Sequence, residues 1–172
     1  MKKRFFSLFV MALFAILCHA QSLGVFIFDE DGPYTNVRNN PNGKVVDRIP
    51  VDGSAMLGVE SPKNGWWRIV DDCYEAIGEN DFEEFKLKGS TTGYWIHYSV
   101  IGVGTRNYGG QHLKLYSQPN TSSRVVYTIK EETTVHPVEI KGDWVKVKTA
   151  DGKGFGWIEA EWLCGNSVTN CC

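Results

Sequence analysis

Four cysteines and three histidines follow residue 20, and their chemistry must be accounted for first: Cys73, Cys164, Cys171 and Cys172, with His97, His112 and His136. A cysteine nucleophile needs a base, usually histidine, and a third group to orient that base. The three histidines read as ordinary surface or groove residues, so no catalytic residue is assigned. A zinc site is the next possibility. The cysteines lack the short Cys-x₂-Cys spacing of such sites, so no metal site is assigned either, and no cofactor is expected. Disulfides suit the pattern better, because an exported chain sits where they persist. Cys171 and Cys172 are adjacent and strain disulfide geometry with each other. That leaves Cys73 with one of Cys164, Cys171 and Cys172, and Cys164 with one of the last two. The alternatives stay open at this point.

Two acidic stretches invite a cation. Asp29-Glu30-Asp31-Gly32 lacks the alternating ligands and closing Glu of a calcium loop and reads as a turn. Asp71 to Glu84 holds seven acids and no Lys or Arg. The plain reading is a solvated insertion that keeps an extended hairpin soluble; the sharper one is a surface that steers a basic partner. Tyr74, Ile77, Phe82 and Phe85 lie among or beside the acids, which predicts that the insertion packs against something.

Export rests on the first 20 residues. Lys2-Lys3-Arg4, the apolar run Phe5 to Cys18 and the small Ala20 read as a secretory signal, of bacterial type. A lipid anchor at Cys18 is disfavoured, because Leu17 stands where that signal wants a small residue. Cleavage after Ala20 leaves about 152 residues, enough for one ordinary domain or two very small ones. No later stretch reaches the 18 apolar residues of a membrane span. The expected location is the periplasm or the exterior. Removing the signal changes 18 bases against 20 acids to 15 against 20, which excludes a basic nucleic-acid binder. The 42% apolar content argues against disorder.

The elements that hold these residues come from a repeat. Pro41 and Pro119 close similar segments 78 residues apart, and Trp66 and Trp144 open similar strands at the same offset. Trp95 and Trp157 follow in the same order at an offset of 62, so the first copy carries about 16 extra residues. The predicted units are residues 22–102 and 110–165, joined by a glycine-rich linker at 103–109 and followed by a Cys-containing tail at 166–172. Both units read as short strands. Alternation puts Trp67 with Ile69, and Val145 with Val147, on core faces; Trp66, Arg68, Trp144 and Lys146 point the other way. Val135, Val138 and Ile140 predict a further strand interrupted near Pro137, and Asp151-Gly152 predicts a tight turn. Short strands with Gly, Pro, Asn and Asp turns give an all-β fold of small barrels or sandwiches.

Each unit resembles a bacterial SH3 (SH3b) domain. The marks are Asn36–Pro41, Asn64–Ile69 and Tyr94-Trp95-Ile96 in the first, and Leu113–Pro119, Gly142–Val147 and Gly156-Trp157-Ile158 in the second. The second departs from the pattern, with Tyr116 in the place of Arg38 and Asp143 before Trp144. The resemblance implies two small SH3-like barrels in tandem, the first with the acidic insertion. It implies that Trp66 and Trp144 line shallow surface grooves, with Arg68 and Tyr98 beside the first. Packing of either Trp against the neighbouring unit is the structural alternative. SH3b domains often accompany a cell-wall cysteine peptidase, and no stretch of this chain is left over to be one. The implied function is a non-catalytic binding or scaffold module. Its implied ligand is peptidoglycan, mainly the peptide stems, or else another envelope protein. Aromatic platforms suit such extended ligands, which cost little entropy to dock. The rival is an interaction or inhibitor module that docks through the acidic insertion.

Overall fold

The computed structural model describes residues 22–78 and 81–166. The expectations placed on Ala20, Cys18, Cys171 and Cys172 lie outside these residues. Among them the regular secondary structure is all strand, apart from two single turns of 3₁₀ helix at Tyr98–Val100 and Ala160–Trp162. The first half comprises β1 (Leu23–Ile27), β2 (Tyr34–Arg38), β3 (Val45–Pro50), β4 (Ala55–Lys63), β5 (Trp66–Gly78), β6 (Asp81–Glu84) and β7 (Tyr94–His97). The second comprises β8 (Ile101–Thr105), β9 (Leu113–Tyr116), β10 (Val125–Ile129), β11 (Thr134–Lys141), β12 (Trp144–Thr149), β13 (Phe155–Glu159) and β14 (Leu163–Cys164).

Among the described residues all pairings are antiparallel, and all but β6–β5 and β14–β8 lie on one open path, β10-β9-β13-β12-β11-β8-β1-β4-β5-β7-β2-β3. Read outward from its middle, the path repeats itself. The order β1-β4-β5-β7-β2-β3 on one side matches β8-β11-β12-β13-β9-β10 on the other, strand for strand. Among the described residues the extra strand β6 pairs only with β5, so the acidic insertion is a long hairpin. Among the described residues neither half closes into a hydrogen-bonded ring; the architecture is a single antiparallel sheet path. The segment predicted as a linker is partly strand. Residues 103–105 belong to β8, which pairs with β1 through Ile101 and Gly102 and with β11 through Val103 and Gly104.

Local sequence explains most elements. Trp67, Ile69, Val145 and Val147 are buried on the core faces that alternation predicts. The register of β11 against β12 slips between Pro137 and Glu139. Proline has no N–H to give the ladder, so a bulge is where a strand tolerates it. Gly152, with φ of 72°, makes the predicted turn, its N–H donating to Thr149 O at 2.8 Å. Asp29 anchors another turn, accepting from Asp31 N at 3.0 Å and from Thr35 Oγ1 at 2.6 Å.

One apolar cluster runs through both halves, from Val37, Leu57 and Ile96 through Ile101 and Val103 to Leu115, Val135 and Ile158. The halves are joined by specific contacts. The Trp67 indole N–H donates to the Pro137 carbonyl at 2.8 Å. His136 Nδ1 lies 2.8 Å from Ile101 O, and its ring packs on Phe28 at 5.4 Å and edge-on to Tyr98 at 6.4 Å. The short strand β14 pairs with β8 on the edge that β1 vacates, which brings Gly165 onto the backbone of Gly24. A Cβ at Gly165 would overlap that backbone.

Candidate binding face

Each half presents an outer sheet face with the same plan. In the first, β5, β7, β2 and β4 set Trp66 opposite His97, Trp95 between Arg68 and Arg38, and Glu60 opposite Arg68. In the second, β12, β13, β9 and β11 set Trp144 opposite Glu159, Trp157 between Lys146 and Tyr116, and Glu139 opposite Lys146. Cross-strand neighbours on one face stand close enough to interact, so each set is a continuous aromatic and charged surface.

The first face is closed over its tryptophan. Trp66 is only 9% exposed. The Arg38 guanidinium sits 5.8 Å from its ring centre, a cation–π distance, and the His97 ring tilts against it at 5.1 Å. Gly65, with φ of 81°, makes room for the next ring: a Cβ there would fall 2.9 Å from Tyr98 Cδ1. Tyr98 donates its backbone N–H to Gly65 O at 2.8 Å, and its ring lies between His97 and His136 at the junction of the halves. Burial holds His97 below its ordinary value of 6.5, and its Nδ1 lies 2.8 Å from Ser99 Oγ. Arg68 is half exposed and pairs with Glu60 at 2.7 Å. Trp66, Arg68 and Tyr98 thus belong to one neighbourhood. Trp66 faces its own strand neighbours, Tyr98 faces the other half, and Arg68 faces solvent.

The second face is open. Trp144 is half-buried, with Tyr116 edge-on at 5.7 Å. Beside this pair lies a cleft of about 280 Å³ whose walls include His112, Lys114, Tyr116, Glu159 and Trp162. Trp162 also borders a smaller cleft of about 220 Å³ with Arg106, Tyr108 and Glu161. Lys146 lies over Phe155 at 4.7 Å and over Trp157 at 5.7 Å, with Glu139 at 3.9 Å. The larger cleft offers ring walls from Tyr116 and Trp162 together with the cation of Lys114 and the carboxylate of Glu159. Such a surface can stack on an extended chain and bond to its polar groups.

Around this cleft, the sequence reading singled out Trp144, which meets Tyr116 but does not line the cleft, and did not single out Tyr116, Glu159 or Trp162. Tyr116 was available from the 78-residue offset, which sets it on Arg38, but it reads there as a departure from pattern. Trp162 answers to Val100 across the repeat and so gives no repeat signal.

Cys73 and Cys164 stand apart from both faces. Cys73 is buried beside a cavity of about 320 Å³ whose walls include Val70, Glu84, Phe85, Leu87 and Tyr94 and contain no histidine. Cys164 is buried in β14, its Sγ 3.7 Å from Asn166 O. Among the described residues no group of three His, Cys, Asp or Glu side chains is placed to hold a metal ion. No helix among them is long and apolar enough to cross a membrane.

Solved structures similar to this chain include NlpC1 from Trichomonas vaginalis, at 10% identity and a TM-score of 0.32, covering 85% of this chain and 46% of that one. NlpC2 from the same organism matches at 10% identity and a TM-score of 0.31, covering 84% and 48%. The chain spans less than half the length of either. No curated protein matches it. Residues 111–163, which run from the loop before β9 to the start of β14 and hold the open cleft, match the family model of the bacterial SH3 domain, so the second half of the chain contains one such domain.

Proposed function

We propose that the protein is an exported, non-catalytic binding module of two SH3-like barrels in tandem, and that the second barrel recognises peptidoglycan peptides through Trp144, Tyr116 and Trp162. The observation that carries this reading is the contrast between the two faces: an open cleft lined by Tyr116 and Trp162, with Trp144 edge-on to Tyr116, and a tryptophan enclosed by Arg38 and His97 in the first half. The repeated strand order supports the two-barrel organisation. The family match supports a cell-wall-related module. The signal-like N-terminus supports export to the periplasm or exterior. In this reading binding is monovalent. The first barrel contributes rigidity, with Arg68 the group of its face most available to a ligand.

Retention of the chain on purified insoluble peptidoglycan, at low and high salt, tests the proposal. Wild-type protein stays bound at high salt, because ring stacking and hydrogen bonds are screened little. Trp144→Ala and Tyr116→Ala each lose roughly 10- to 30-fold in affinity, the loss typical of truncating a central aromatic anchor. Failure of wild-type protein to be retained refutes the proposal. Undiminished retention of both variants moves the site elsewhere.

A further inference from the structure

The hairpin of β5 and β6 carries features that the groove does not use. Its register sets Tyr74 opposite Glu84 and Ala76 opposite Phe82 on one face, and Glu75 opposite Glu83 on the other. Every residue of β6 is exposed. Tyr74, Ile77 and Phe82 are large apolar side chains left 42%, 59% and 37% exposed. Among the described residues β6 pairs only with β5, so its outer edge offers backbone N–H and C=O groups to a further strand. At its foot lies the cavity of about 320 Å³ under Phe85, Leu87 and Tyr94, large enough to take one side chain.

The charges on this hairpin select the partner. Like charges directly opposite each other on two strands are destabilising, and Glu75 and Glu83 form such a pair. Among the described residues no Lys or Arg lies within 4.0 Å of either carboxylate; Glu75 has Ser54 Oγ at 3.5 Å, and the nearby Lys86 reaches Glu84 at 4.0 Å. A second copy of this edge would add acid to acid, which argues against self-pairing. We infer that β6 is an edge for strand addition by a basic partner protein. The occupant is an extended segment that alternates Lys or Arg with apolar residues. Its cations lie on the Glu75–Glu83 side, and its apolar residues lie along Tyr74 and Phe82. The inference is independent of the peptidoglycan cleft, which lies in the other half of the chain.

The probe is a synthetic ten-residue peptide alternating Lys with Val and Tyr. A second peptide has Glu for every Lys, and a third keeps all Lys but carries two Pro in place of Val. Binding to the isotope-labelled chain is followed through its backbone amide resonances, at low and moderate salt. The alternating basic peptide is expected to shift the amides of Asp81, Phe82, Glu83 and Glu84. The Pro peptide should bind at least about 10-fold more weakly, because it keeps the charge and cannot complete a ladder. Glu75→Lys/Glu83→Lys should weaken the basic peptide by a similar factor and leave peptidoglycan retention unchanged. Equal binding of the Lys and Pro peptides would reduce the effect to unspecific charge attraction and overturn the inference. So would amide shifts that bypass β6, or equal binding of the Glu peptide. A variant that has lost its native amide spectrum is replaced by Phe82→Ser, which should weaken the basic peptide in the same way.

Discussion

Replacing Trp67 with phenylalanine should weaken both halves of the molecule at once. Trp67 is fully buried in the first half, yet its indole donates to the Pro137 carbonyl in the second, 70 residues along the chain. Phenylalanine keeps the ring and loses the donor. A buried acceptor that loses its donor costs about 1–3 kcal/mol. The side chain shrinks by roughly 40 Å³, which at ~24 cal/mol per Å³ of residual cavity adds about 1 kcal/mol. The expected loss is therefore about 2–4 kcal/mol, a large share of the ~5–15 kcal/mol typical of a folded domain. For a chain of this length that lowers the melting temperature by on the order of 4–16 °C. Urea unfolding followed by far- and near-ultraviolet circular dichroism measures it, since tryptophan fluorescence changes with the substitution itself. Wild-type protein should unfold in one transition, because β8 pairs with strands of both halves and one core runs through them. The variant should shift that whole transition. A loss below about 0.5 kcal/mol would refute the hydrogen bond as a clasp. Two separate wild-type transitions, with only the first displaced in the variant, would refute the coupling.

Two further perturbations probe the same frame. Gly165→Ala pushes a methyl group into the backbone of Gly24 and should cost about 1–3 kcal/mol, whereas Gly104→Ala, with its nearest contact at 3.7 Å, should cost less; equal effects would remove the crossing as the reason. His97 is held below 6.5 by burial, so near pH 6 the folded ring binds fewer protons than the unfolded one. By linkage its contribution is present above pH 6.5 and is lost as pH falls from there toward the lowered folded value. His97→Gln should flatten the fall in stability between about pH 7.5 and 5.5; denaturation midpoints that fall equally in both proteins would refute the assignment.

Sequence periodicity revealed the parts of this fold that depend on neighbours along one strand. Alternation assigned Trp67, Ile69, Val145 and Val147 to the core, and the offsets between prolines and tryptophans anticipated strands of equal rank. It did not reveal what lies across the sheet. Trp66 and Trp144 occupy the same position in the repeat, and their surroundings differ because Arg38 and His97 reach the first from β2 and β7, while Tyr116 and Glu159 flank the second. Gly102 borders the stretch that reads as a linker, yet β8 needs it small. A Cβ at Gly102 would strike Thr134 Cγ2 at 2.6 Å and Phe26 Cε2 at 3.0 Å, residues of two different strands. A close approach of three chains and a flexible joint both call for glycine, and composition alone does not separate them.

The two faces show how one backbone plan yields an enclosed and an open surface. In the first half a cation covers the indole, and the position after the last strand is taken by Tyr98, which turns toward His136 of the other half. In the second half the covering residue is itself a ring, Tyr116, which meets Trp144 edge-on and borders the cleft. Position 160, which answers to Tyr98, is an alanine, and Trp162 stands two residues on as the far wall. No third half follows among the described residues to occupy that side as β11 and His136 occupy it in the first. The surface by which the first half packs on the second corresponds, in the second half, to the open cleft between Tyr116 and Trp162.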